Sequence, residues 1–493
     1  RPPACGETIP LKQYVLEKRD GRFTVGVQYP ARILLPGDGL ASSNSLLAIT
    51  DGGWRRGFDL CKYRMDLLRL CLPASYSKRW FREIFNFRQR FLHAHDPLYD
   101  AATGQYRMAQ AIEEDRREFG GVDYLHLFDW GYCGPYGRIY GRTGDYSPYD
   151  FLKGGREALR AAIAGVQKQG IPVGLYIEGY LLSKRGRLGQ AHGKDWQLIR
   201  PDGQGLWWEG NEEMMVCPGV PAWREVQAST YETKVKELGV DGMYIDQFGF
   251  TNPWKDCYSD KHGHPVPSYP VVTERDTTRL IRERVEAAKK GVALYTEETP
   301  VDVTTPYQDG SFTYAMSESR RTQTLVPINI ARFAFPDFKT IEILICDQPT
   351  GSWATGVRWV FFNGEALWIE GPPDWFEPET RAEIRRCYRI LRLHKDAFTG
   401  LHPVPLVPTE MGGVWANQFP SDVIGQVKVV YTLYNARHRT VRGEVLRVPH
   451  EPGATYYDEW HQRPAAVRIK GKEAVLATEL GPHGTGCLVI MKK

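Results

Sequence analysis

The sequence predicts a (β/α)8 barrel followed by an antiparallel β-sandwich, behind a short β-rich N-terminal segment. Three observations point there. Between 122 and 398, short β-rich runs alternate with amphipathic helical ones, the rhythm of parallel βα units. Several apolar runs end in a carboxylate, as expected of barrel strands whose C-terminal ends carry a site. After Thr399 the helical periodicity stops, and short alternating runs separated by Gly, Pro and polar turns follow.

Residues 1–50 hold two alternating apolar stretches, 23–27 and 31–35, too few strands to bury a core alone. Residues 51–121 read as helical and basic, a linker packing on the barrel. The barrel is assigned to 122–398. Its strand candidates are 122–130 (VDYLHLFDW), 171–178 (IPVGLYIE), 214–217, 242–246 (GMYID), 292–298 (VALYTEE), 312–316, 341–346 and 359–363. Helices are expected at 154–169, 223–238 and 273–290. A closing helix at 378–397 starts with Pro and early charges, both suited to a helix N-terminus. Eight strands over about 275 residues suit a closed barrel better than a doubly wound sheet. No Gly-rich phosphate loop follows a strand, so the nucleotide-binding form of that sheet lacks its signal. Residues 399–493 are assigned to the sandwich.

Composition narrows the partners. The 63 basic and 59 acidic residues are spread without long runs of one sign, which gives no footprint for nucleic acid. No run approaches the roughly 20 apolar residues of a membrane span. Fourteen Trp and 26 Tyr favour a carbohydrate ligand, because flat rings stack on sugar faces. Nine scattered cysteines contain no C-x-x-C pair, and most are expected to be buried thiols. The chain opens RPPACGETIP, without Met or an apolar leader, and is expected to be processed or part of a longer chain.

Function in such a barrel resides at the C-terminal strand ends. The acids there are Asp129, Glu178, Asp246, Glu297 with Glu298, Glu318 and Asp347. Any one of them can be a loop or helix cap; the repetition is what points to chemistry. Glycosidic cleavage needs two carboxyl groups, at about 5–5.5 Å for retention and about 6.5–9.5 Å for inversion. Neighbouring strands lie about 5 Å apart, so Asp246 on the fourth and Glu297 or Glu298 on the fifth suit a retaining pair. Which glutamate faces inward depends on where the fifth strand stops, because side chains alternate. Asp129, Trp130, Tyr176, Glu178, Gln247, Trp254, His264 and Asp309 are the substrate-binding candidates. Trp207, Trp208 and Trp254 either stack on sugar rings or pin long loops. Arg320 and Arg321 either bind an acidic sugar or are solvated. The loop with Cys257, His262 and His264 offers three metal ligands where structural zinc takes four. His264 is therefore assigned to a sugar hydroxyl, or to loop support, and no metal or cofactor is expected. A Ser-His-Asp hydrolase lacks its G-x-S-x-G elbow.

The stretch 239–250 (GVDGMYIDQFGF) resembles the fourth-strand nucleophile segment of barrel glycosidases acting on α-linked sugars, in the style of α-galactosidases, α-amylases and endo-α-N-acetylgalactosaminidases. It is more similar to a largely uncharacterised bacterial family of hydrolase-like proteins with a DG-x-Y-x-DQ strand, a C-Y-x-x-x-H-G-H-P loop, and a strand ending in T-E before a D-G pair. Those pieces stand here as Asp241 to Gln247, Cys257 to Pro265, Thr296-Glu297 and Asp309-Gly310, with further likeness at 215–223 and 431–446. The first 50 residues resemble only the tail of the sandwich that precedes such barrels. The resemblance implies a glycosidase with Asp246 as nucleophile, and names no substrate. The expectation is thus a retaining glycoside hydrolase acting on an oligo- or polysaccharide, secreted or periplasmic. An inverting hydrolase, a transglycosylase and a non-catalytic sugar-binding protein are the alternatives.

Overall fold

A computed structural model of the chain describes residues 13–28, 36, 49–69, 77–94, 96–132, 143–208, 210, 212–249, 255–268, 270–297, 304–314, 326–343 and 353–492. Eight parallel strands close into a barrel. They are numbered here β1 Asn86–Arg90, β2 Tyr124–Leu127, β3 Val173–Glu178, β4 Gly242–Asp246, β5 Ala293–Thr296, β6 Gly310–Thr313, β7 Lys339–Ile343 and β8 Ala366–Glu370.

Three of the expected barrel positions are corrected. The first strand, NFRQR, lies inside the stretch expected to be a helical linker. Its polarity hid it: Arg88 and Arg90 are buried and pair with the buried Asp115 at 2.9 and 3.0 Å. Residues 214–217 leave the barrel. Glu213–Met215 pairs antiparallel with Leu181–Ser183 and Trp207–Trp208 in a three-stranded excursion after β3. Residues 359–363 fall mostly in the helix Ala354–Phe362, which is apolar nearly all round because it is wedged between barrel and sandwich. Periodicity cannot tell such a helix from a buried strand. The missed first strand and the false one at 214–217 cancel, so 242–246 is β4 in both counts, and Ala366–Glu370 takes the place expected for 359–363.

The inside of the barrel follows from strand alternation and register. Paired residues on parallel neighbours point to the same side. Gly174, Gly242 and Ala293 form one level across β3, β4 and β5, and Tyr176, Tyr244 and Tyr295 the next. The lower level is small for a reason. A Cβ at Gly174 would lie 1.8 Å from the Tyr124 hydroxyl, and one at Gly242 would lie 2.0 Å from it. Tyr124, Phe87, His126, Phe312 and Trp368 fill the rest of the interior as a packed aromatic plug.

Residues 404–492 form two antiparallel sheets. Six strands, ordered Val404–Val407, Val414–Pro420, Val427–Asn435, Thr485–Lys492, Thr455–Asp458 and Arg463–Pro464, face three, ordered Val441–Pro449, Glu473–Leu480 and Ala466–Lys470. Alternating residues such as Val445, Leu476 and Leu488 fill the space between them. The sandwich is tied to the barrel through the end of the wedged helix. Asn417 Nδ2 and Thr432 Oγ1 both donate to the Phe362 carbonyl, at 2.8 and 2.6 Å. Near the other end of the chain, Gln13–Arg19 and Arg22–Gln28 form a two-stranded hairpin. Among the described residues no helix is long and apolar enough to cross a membrane.

Candidate active site

One register level above the tyrosines, β3, β4 and β5 each present an acid: Glu178, Asp246 and Glu297. Glu178 and Asp246 are direct register partners. Glu297 lies two residues beyond Tyr295 and thus on the same inward face, and its N–H still donates to the Ile245 carbonyl at 3.3 Å. Glu297 is thus an inward-facing acid. Glu298 lies outside the described residues, as do Trp254, Glu318, Arg320, Arg321 and Asp347.

The tyrosine level holds the acid level in place. Tyr176 donates its hydroxyl to Asp246 Oδ2 at 2.5 Å and also lies 3.1 Å from Glu178 Oε2. Tyr244 donates to Asp246 Oδ1 at 2.9 Å. Tyr314, beyond β6, donates to Glu297 Oε1 at 2.9 Å, and the Gln247 N–H donates to Glu297 Oε2 at 3.0 Å. Gln247 adopts a left-handed backbone at φ +60°, uncommon for a residue with a side chain. That turn ends β4 and aims its N–H across to Glu297.

Burial separates the three acids. Glu178 is 0% exposed, whereas Asp246 and Glu297 are half-buried, so only the last two can meet a substrate. Burial, and then the neighbouring Asp246 charge, push the Glu178 and Glu297 carboxyls well above the usual range. Beyond the strand ends Lys255 is buried. Its ammonium donates to the Gln247 carbonyl at 2.5 Å and sits 3.9 Å from the centre of the Tyr180 ring. Glu274 accepts from the Tyr180 hydroxyl at 2.5 Å and from the Gly249 N–H at 3.0 Å, and burial pushes it up to about 7.

Lys255, Glu274, Tyr244 and Tyr314 were missed from the sequence. Tyr244 was accessible, being two residues before Asp246 on the same face. A single Lys or Glu in a loop or helix carries no such signal.

Besides Glu178, four expected substrate contacts are turned elsewhere. Asp129 spends both carboxylate oxygens on the backbone N–H groups of Leu92, His93 and Ala94, capping the loop after β1. Trp130 is fully buried and donates to the Tyr176 carbonyl at 2.7 Å. Asp309 precedes β6 and so lies at the opposite end of the barrel, paired with Arg282 and with the N–H groups of Lys78 and Leu294. Tyr176 is 1% exposed and orients acids, with no face left for a sugar. Trp207 and Trp208 are half-buried in the excursion sheet, with Trp208 packed on the barrel core, as loop-pinning residues are.

His264 faces the end of the excursion. Its Nε2 lies 3.3 Å from Cys217 Sγ, and its Nδ1 is 2.8 Å from the Pro265 carbonyl. Cys257 Sγ lies 3.3 Å from His262 Nδ1. The loop thus meets Cys217, from the end of the excursion, and the four side chains bring their ligand atoms within 4.8 Å of one another. A groove of about 380 Å³ bounded by Asp145, Arg187 and Glu225 lies against the outer face of the helix Pro221–Leu238, and it contains none of the acids above.

Half of the chain, residues 87–337, matches one family model, described as "Domain of unknown function (DUF6259)". No curated protein matches the sequence. Solved structures match the fold at low identity. A noncanonic maltogenic α-amylase from Thermotoga neapolitana is similar at a TM-score of 0.61 and 12% identity, covering 84% of this chain and 100% of its own. A debranching enzyme from Nostoc punctiforme gives 0.59 and 13%, covering 84% and 99%. A trehalose-6-phosphate hydrolase from Bacillus licheniformis gives 0.59 and 9%, covering 84% and 100%.

Proposed function

The chain belongs to the DUF6259 family, whose description carries no reaction, and from the acid level of its barrel we propose that it is a retaining glycoside hydrolase. The observation that carries the proposal is the single inward level of Glu178, Asp246 and Glu297 on three adjacent strand ends, with only the last two reachable. In this reading Asp246 is the nucleophile, aligned by the two tyrosine hydroxyls. Glu297, held protonated by burial and by Asp246, is the acid that protonates the leaving oxygen and then the base that activates water.

Carboxyl groups at the ends of adjacent parallel strands, which lie about 5 Å apart, support the short separation of a retaining pair. Glu178 has no route to substrate, and its place is to position Asp246 through Tyr176. The named activities of the structural neighbours support an α-linked oligo- or polysaccharide.

A panel of 4-nitrophenyl glycosides and α- and β-linked polysaccharides identifies the substrate, and NMR of the first-formed sugar reports its anomer. Asp246→Asn is expected to lower kcat by several orders of magnitude with KM little changed, because an essential transition-state group is lost. Glu297→Gln is expected to spare the first step on activated aryl glycosides and to regain turnover with azide. Near-normal turnover by Asp246→Asn would end the assignment; a product of inverted anomer would end the retaining mechanism.

A further inference from the structure

We infer that Cys217, Cys257, His262 and His264 form a structural zinc site that clamps the excursion after β3 to the loop after β4. The inference stands apart from the glycosidase reading, since none of the four residues touches the acid level.

The donor set is right in number and kind. Two thiolates and two imidazoles make up a closed tetrahedral shell, with no position left open for a catalytic water. The ligand atoms already lie within 4.8 Å of one another, with two sulfur–nitrogen approaches of 3.3 Å. Zinc–sulfur bonds of about 2.3 Å and zinc–nitrogen bonds of about 2.0 Å need ligand atoms separated by only somewhat more than that. Binding releases the two thiol protons, and the two negative sulfurs then cancel the charge of the ion. The buried site becomes neutral, as a low-dielectric setting requires.

The surroundings also fit a metal. A zinc-bound imidazole commonly donates its second N–H to a carbonyl, which fixes ring and tautomer. Both do so here: His262 Nε2 faces the Asp195 carbonyl at 3.0 Å, and His264 Nδ1 faces that of Pro265 at 2.8 Å. Each sulfur in turn receives a backbone N–H, from Gly219 to Cys217 Sγ at 3.3 Å and from Ile199 to Cys257 Sγ at 3.5 Å. Gly219 is small because a Cβ there would lie 2.3 Å from the His264 ring. A disulfide between the two cysteines would leave two histidines converging on it without purpose.

The clamp joins segments that also meet where the Tyr258 N–H donates to the Ile199 carbonyl at 2.8 Å. Cys217 ends the excursion sheet, Asp195 closes its helix, and the 257–268 loop crosses both. Lys255, two residues before Cys257, is the buried cation that holds the Gln247 carbonyl just beyond Asp246, so the clamp also fixes its approach.

The test uses the full chain, purified from zinc-replete cells and dialysed against metal-free buffer. Elemental analysis is expected to return one zinc per chain, released by a mercurial thiol reagent. Exchange for cobalt should give the absorption of a tetrahedral ion together with thiolate-to-cobalt charge transfer. His264→Ala is expected to weaken zinc binding by more than the roughly 10–100-fold that loss of an outer-sphere partner costs. Cys217→Ser with Cys257→Ser should hold less than a tenth of the wild-type zinc. If the double variant fails to fold, the cobalt spectrum of the wild type decides. Folded wild type without bound zinc, a Cys217–Cys257 disulfide found by mass, or a cobalt spectrum lacking the thiolate band would overturn the inference.

Discussion

Replacing Tyr176 by Phe removes one oxygen atom from the centre of the proposed machinery and leaves the packing intact. The ring is buried against Phe128 and Tyr244, and Phe retains both contacts. The hydroxyl is 2.5 Å from Asp246 and 3.1 Å from Glu178, so one deletion releases the nucleophile from one of its two donors and breaks its link to the buried acid. A hydrogen bond to a charged acceptor is worth about 1.5–3 kcal/mol. If that energy aligns Asp246 for attack, kcat falls about 10- to 150-fold, at roughly 1.4 kcal/mol per factor of ten. KM should move far less, because Tyr176 has no surface for substrate. The assay is steady-state turnover of an activated aryl glycoside, with thermal melting as the check on folding. Tyr244→Phe, which frees the other oxygen at 2.9 Å, serves as the matched comparison. The double variant should lose less or more than the product of the two losses, since both act on one carboxylate. A Tyr176→Phe enzyme within threefold of wild-type kcat, alongside an inactive Asp246→Asn, would refute the positioning role. A rise in KM equal to the loss in turnover would do so as well.

Two further outcomes concern stability. Burial pushes Glu274 up to about 7 from an ordinary 4.5, so the folded state keeps a proton that the unfolded chain releases, and the stability this supplies below pH 4 is lost as pH rises to 7. At 1.36 kcal/mol per unit the loss is at most about 3 kcal/mol, and Glu274→Gln should narrow the gap between melting temperatures at pH 5 and pH 8; an unchanged gap would count against it. Gly174→Ala forces a Cβ onto the Tyr124 hydroxyl and should cost at least the roughly 1–3 kcal/mol of ordinary overpacking in urea unfolding. Adding Tyr124→Phe should restore part of that loss, and a fully stable single variant would show that the interior can yield.

The barrel, the sandwich and Asp246 on β4 were legible because each writes a strong local pattern: apolar runs of fixed length, turn residues between them, and an acid at the end. What was lost has a physical cause in each case. NFRQR hid β1 because its arginines are buried through Asp115, a partner 25 to 27 residues away that no local window includes. WVFFN imitated a strand because the end of a helix wedged between barrel and sandwich is apolar on nearly every side. The choice of Glu297 over Glu298 needed only the end of β5, yet a shift of one residue reverses it. Asp129 and Asp309 looked like site acids from type and neighbourhood alone. Their real partners are backbone N–H groups and Arg282, which only the fold brings near. Cys217 was visible in MVCPG, and so was the Cys-His loop 40 residues on. Nothing in either segment says that they meet.

The acid level also explains why the protein tolerates so much like charge in one place. Among the described residues, Glu178, Asp246, Glu297 and Glu274 share one ammonium, Lys255, around which four ionised carboxylates would repel strongly. The conflict is relieved by keeping protons on. Glu178 and Glu297 are pushed well above the usual range, and Glu274 titrates only near neutrality. Asp246, by contrast, is half-buried and is faced by both tyrosine hydroxyls. In the proposed mechanism, the group that attacks and the group that delivers a proton are thereby set apart by environment, though both are carboxylic acids on neighbouring strands. Glu178 matters here without touching substrate: removing its carboxyl would lift one source of repulsion from Asp246 and remove the far anchor of Tyr176. In the proposed mechanism, Glu178→Gln should therefore shift the pH dependence of turnover as well as lower it, whereas a purely structural residue would lower it at every pH alike.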